Sequence, residues 1–283
     1  MRFLLTQPPL TQRGAVEALA EPMGTASGTI EPARPRARSA WLALGSIAAL
    51  VLSWQALSWV AGDPRLLPPP AEVARTLLRT TLSGELPSQL AATLARVVAG
   101  FTLAMTLGSA IGLLLGRSRL ADALGGPWLL IFLNLPALVV IILAYVWVGL
   151  NDTAAILAVA ISKIPNVAVQ VREGARALDR GLDDMARVFG IGPWRRLRDI
   201  HLPQLAPHLL GAARSGLALV WKIVLVVELL GRPNGVGFEI GNAFQLFDVA
   251  SLLAYGIAFL LVVLAIEVAV MQPLAARVGQ WRA

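Results

Sequence analysis

Two lysines, Lys163 and Lys222, carry the only side-chain amines in a chain of 283 residues, and both lie inside long apolar stretches. A cation at mid-membrane depth is costly unless it faces protein or water, so each marks a candidate site. Lys163, Asn166, Gln170 and Glu173 follow one another at three, four and three residues, which puts them on one face of a helix, with Asp152 at its start. Two arrangements fit. In one, this stripe with Lys222 opposite forms a positively biased lining for a small anion, to which Asn134, next to Pro136, and Glu228 add polar groups. In the other, each lysine pairs with a carboxylate such as Glu228 or Glu267, or reaches toward the interface, and holds helices together. Asn134 could equally make a helix–helix hydrogen bond.

Other chemistry is excluded by composition and spacing. The chain has no cysteine, which removes structural disulfides, thiolate metal sites and cysteine nucleophiles together. His201 and His208 are seven residues apart, with Pro203 and Pro207 between them and no acidic cluster nearby; they read as two surface imidazoles, not as metal ligands. An ATP-binding P-loop needs Gly-x-x-x-x-Gly-Lys-Ser/Thr, and here Lys163 precedes Ile164 and Lys222 precedes Ile223. Glu228 and Glu267 are far apart along the membrane normal, which argues against an intramembrane enzyme. Gly231, Gly235 and Gly237 read as turn residues.

The elements that position these residues follow from hydropathy. With 57% hydrophobic and 14% charged residues and a mean hydropathy of +0.69, the chain reads as an all-α membrane protein that crosses the bilayer several times. About 20 apolar residues are needed per crossing. Six stretches qualify, at about 40–61, 90–116, 124–149, 153–171, 207–230 and 251–273. They divide the chain into a flexible cytoplasmic tail (1–39), a transmembrane domain (40–277) and a short cytoplasmic end (278–283). Of the arginines, sixteen fall in the tail, the turn after residue 116, the 172–207 stretch and the C-terminal end, against four (Arg65, Arg75, Arg79 and Arg232) in the alternate loops. That bias predicts both termini in the cytoplasm, and it accounts for the net charge of +7 without nucleic acid.

In the second stretch Gly100, Ala104, Gly108, Gly112 and Gly116 recur every four residues, a ridge of small side chains suited to close helix packing. The polar 172–207 stretch predicts a helix over 174–189, with Ala175, Leu178, Leu182, Met185 and Phe189 as its apolar stripe. Gly190 and Gly192 break it. Pro193 then opens a second short helix with Trp194, Leu197 and Ile200 on its apolar face, which Pro203 and Pro207 end. Such an elbow suits either an anionic lipid surface or the groove of a cytosolic partner.

Asp184, Met185 and Ala186, then Gly190, then Ile200, Leu202 and Pro203 resemble the EAA loop of ABC-transporter permeases, with Asp in place of the usual Glu and Met in place of the first Ala. Residues 67–101 and 218–240 are similar to permeases of the nitrate/sulfonate/taurine group, and the resemblance covers roughly 40–277. It implies the transmembrane domain of a type I ABC importer, with about six spans and cytoplasmic coupling helices, in a bacterial inner membrane. Two copies would enclose the pathway. Two ATP-binding cassette ATPase subunits would dock on Asp184, Met185, Ala186, Arg187, Phe189, Gly190, Gly192, Trp194 and Arg195, and an extracytoplasmic solute-binding protein would deliver a small anion. This chain would hold no cofactor and catalyse nothing itself, with ATP and Mg bound by the ATPase subunits. The alternative is a secondary transporter or channel for a small anion, working without an ATPase; it gives no reason for the two-helix elbow, and the sequence shows no inverted repeat.

Overall fold

A computed structural model describes residues 36–279, all of whose regular elements are helical. The predicted tail (1–39) lies outside the described residues up to position 35, as does the C-terminal end from position 280. The chain forms two compact units that divide between Leu50 and Val51. The described residues of the first belong to helix α1 (Arg36–Ala61), and the second holds everything that follows. Within it, Trp54 Nε1 donates to Pro68 O at 3.1 Å and Ser58 Oγ to Leu67 O at 2.9 Å, tying the end of α1 to the turn after it.

Helix α2 (Pro70–Leu82) starts on a proline, whose missing N–H is no loss in a first turn. Helix α3 (Glu85–Arg117) is 33 residues long, about 50 Å at 1.5 Å per residue, so it overshoots a hydrocarbon layer of about 30 Å. Its glycine ridge packs on α6 (Asp152–Arg176) within the same chain. A Cβ at Gly100 would meet Val159 Cγ1 at 2.7 Å, one at Gly108 would meet Val167 Cβ at 2.7 Å, and one at Gly112 would meet Val171 Cβ at 2.8 Å. The predicted close packing is present, and its partner is α6.

The third predicted span is not one straight helix. Helices α4 (Arg119–Asn134) and α5 (Ala137–Val148) are bent by 96° at Leu135–Pro136. Leu135 precedes a proline and is extended (φ −68°, ψ 125°), as the proline ring requires of its neighbour, and Pro136 has no N–H to continue the ladder. The described residues therefore contain five helices long and apolar enough to cross a membrane, or six if the bent pair counts as one span.

The predicted helix over 174–189 is two pieces: α6 ends at Arg176 and α7 runs Arg180–Val188. Asp179 ends the first by capping the second, accepting from Gly181 N at 2.7 Å. Downstream, α8 (Pro193–Arg196) leads through a π-helical turn (Leu197–His201) into α9 (Leu202–Gly231) without a stop. The wider turn shifts the hydrogen-bond register just before Pro203, so the helix passes it; Pro207, also expected to end the helix, lies inside α9. Helix α10 (Val236–Gln245) and α11 (Val249–Ile266) follow, and a second π turn joins α11 to α12 (Gln272–Gly279). The main core lies where α3, α5, α6 and α9 meet, around Val97, Ile141, Ala158, Val159, Val220 and Val224.

Candidate functional site

Helices α7 and α8 form a projecting elbow at the end of the bundle where α3 and α6 finish and α9 begins. The joint is a Schellman motif: Gly190 N donates to Arg187 O at 3.1 Å and Ile191 N to Ala186 O at 2.9 Å. Gly190 holds φ +63°, and a Cβ there would meet nothing within 4 Å. The requirement for glycine is thus conformational, about 1–2 kcal/mol for an L-residue in this region. Gly190→Ala is expected to loosen the elbow by that amount, seen as faster limited proteolysis between α7 and α8, with Gly190→Asn intermediate. Gly192 has φ −60° and open space around it, so the elbow needs one glycine, not two, and Gly192→Ala should leave cleavage unchanged.

Ala186 is fully buried, whereas Val188, Phe189 and Trp194 are 84%, 74% and 72% exposed and Met185 is exposed beside them. The predicted stripe therefore divides. Ala175 packs at the end of α6, while Leu182, Met185 and Phe189 point away from the bundle's core. Asp184, Arg187 and Arg195 are exposed around this apolar tip, with Arg187 3.4 Å from Asp184.

Beneath the tip, Asp183 accepts from Arg117 Nη2 at 2.9 Å and is 3.1 Å from His201 Nε2, with Arg187 at 3.5 Å and Arg196 at 3.8 Å. Burial pulls the Asp183 carboxyl upward, but the His201 hydrogen bond and the charges of Arg117 and Arg187 outweigh it and hold the group below the usual aspartate range. Arg117 Nη1 in turn lies 2.9 Å from His201 Nδ1 and 3.1 Å from its Nε2. Neither histidine is the surface imidazole that was expected. His201 is buried, and the His208 ring packs over Gly174, where a Cβ would meet it at 2.6 Å.

The two lysines do not converge. Lys163 is 1% exposed, its Cε 2.7 Å from where a Cβ on Gly216 of α9 would stand, and its Nζ has no hydrogen-bond partner among the described residues. Lys222 is exposed on another face of α9. Asn166 is half-buried, Gln170 donates to Ser215 Oγ at 3.0 Å, and Glu173 pairs with Arg172 and Arg176 at the end of α6. Asn134 is exposed and donates to Leu130 O at 2.8 Å, closing the last turn of its own helix at the break.

Glu228 pairs with Arg96 rather than with either lysine. It is fully buried, accepting from Arg96 Nη1 at 2.7 Å and from Thr93 Oγ1 and Gly237 N, each at 2.9 Å. Arg96 also donates to Asp152 at 2.7 Å and to the backbone and side chain of Asn234, and Arg232 reaches Asp152 at 3.1 Å. Glu267 pairs instead with Arg214 at 2.7 Å. Gly235 and Gly237 are more than turn residues, because a Cβ at either would strike Glu228. This network lies at the bundle end opposite the elbow. The sequence pointed to Glu228 and Asp152 but not to Arg96, whose sign was an arginine inside an apolar helix.

Comparison with known proteins fits this architecture. The chain is 31% identical to the riboflavin transport system permease of Chloroflexus aurantiacus, over 76% of this chain and 83% of that one. It is 31% identical to the aliphatic sulfonates transport permease of Escherichia coli, over 39% of this chain and 42% of the relative. Against ABC transporter permeases of Brucella, 29% identical, it spans about half of their length (56%). A methionine ABC transporter solved in inward-facing conformations shares the fold, with a TM-score of 0.55 at 21% identity over 65% of this chain and 92% of that one. The model of one family, the inner membrane components of binding-protein-dependent transport systems, matches residues 78–274, and it is to this family of transport permeases that the chain belongs.

Proposed function

We propose that the chain is the translocating subunit of an ATP-driven importer, working as a pair with the elbow in the cytosol and seated on an ATPase subunit. Alternating access would then be driven through α7 and α8. The observation that carries this reading is the tip itself. Val188, Phe189 and Trp194 are exposed at the elbow and bordered in sequence by Arg187 and Arg195, within and beside the residues that resemble the EAA loop. Apolar anchors ringed by arginines match the anatomy of a protein interface. The arginine bias of the sequence supports a cytosolic position for this end. For the solute we infer a small anion, in keeping with the sulfonate permease among the relatives; the exposed Lys222, rather than the enclosed Lys163, is the cation available to it.

Co-expression with an ATPase subunit and a solute-binding protein, followed by reconstitution in liposomes, tests this reading. ATP-dependent uptake of a sulfonate is expected. A Phe189→Asp, Trp194→Asp variant should stay folded yet retain the ATPase at least about tenfold less well on co-purification, since interface anchors contribute about 2 kcal/mol or more each. Uptake by this chain alone would overturn the proposal in favour of a secondary carrier.

A further inference from the structure

Helix α7 has no extensive packed face against the spans. A cleft of about 530 Å³ opens beneath it, lined among others by Arg117, Arg119, Asp122, Arg176, Asp183 and His201. Across this cleft one side chain links three elements. The Asp183 carboxylate, 16% exposed, is bound by Arg117 at the end of α3 and by His201 in the turn that opens α9, with Arg196 of α8 3.8 Å away. Charge-assisted bonds of this kind are short and directional. A displacement of α7 therefore reaches α3 and α9 through one carboxylate more directly than through side-chain packing. The neighbouring Asp184 is exposed and, among the described residues, pairs with Arg187 of its own helix, so it does not make the same connection.

We infer that Asp183 is the positioning residue that transmits movement of the elbow to α3 and α9, setting how many ATP are hydrolysed per solute moved. This rests on the permease reading above. The experiment uses the whole transporter in liposomes, with its ATPase and binding protein, and measures hydrolysis and uptake together. Asp183→Asn is expected to assemble and hydrolyse ATP while uptake per ATP falls at least about tenfold, as for the loss of a charge-assisted hydrogen bond. Asp183→Glu should recover part of the ratio, because it keeps the charge. Where Asp183→Asn fails to assemble, Arg117→Gln decides: it releases α3 but leaves His201 on the carboxylate, and it should lower the same ratio. An unchanged ratio in an assembled Asp183→Asn or Arg117→Gln complex overturns the inference. Absence of ATP-driven uptake by the unaltered protein would instead be a failure of the permease reading.

Discussion

Arg96→Met is expected to abolish most folded protein. The change strands Glu228, fully buried and left with Thr93 and Gly237 as its donors among the described residues, and it releases Asp152 and Asn234 from the same guanidinium. Breaking a buried pair by removing one partner costs about 3–5 kcal/mol, against a total stability of about 5–15 kcal/mol for a typical domain. Size-exclusion profiles of detergent extracts and thermal midpoints read the effect. The double variant Arg96→Met, Glu228→Leu should recover much of the yield, since no uncompensated charge is then enclosed. A single variant with the wild-type midpoint would show that the network contributes nothing to the fold.

Gly112→Leu is expected to be comparably severe for a different reason. A side chain at this position meets backbone on the facing helix, namely the Ala168 carbonyl and, at 3.0 Å, Arg172 N, as well as Val171 Cβ at 2.8 Å. Backbone cannot move aside as a flexible side chain can, so even Gly112→Ala should lower the midpoint, by about 1–3 kcal/mol of overpacking. Leucine would force α3 and α6 apart along a contact that also includes Gly100 and Gly108. Gly256→Ala is the control, because among the described residues no other helix comes within 4 Å of its Cβ position. Normal yield of Gly112→Leu would mean that the helices do not approach this closely in the membrane.

Features that depend on neighbours along the chain can be read without a fold. Apolar runs long enough to cross hydrocarbon, glycines every four residues and the register from Asp184 to Pro203 are local patterns, and local patterns survive without knowledge of the partner helix. Even the joint at Gly190 was legible, because left-handed backbone at a helix end favours glycine. Which faces meet depends on contacts between distant helices. Arg96 finds Glu228 across 132 positions, and Arg117 finds Asp183 across 66; no spacing rule reaches that far. The stripe from Lys163 to Glu173 was correctly periodic, but periodicity gives a face and not what covers it. Gly216 of α9 leaves room for Lys163 inside the chain, while Lys222 turns outward. The 96° bend at Pro136 and the unbroken passage through Pro203 show the same division. Proline removes one hydrogen bond in both places, and the surrounding register decides whether the helix turns or continues.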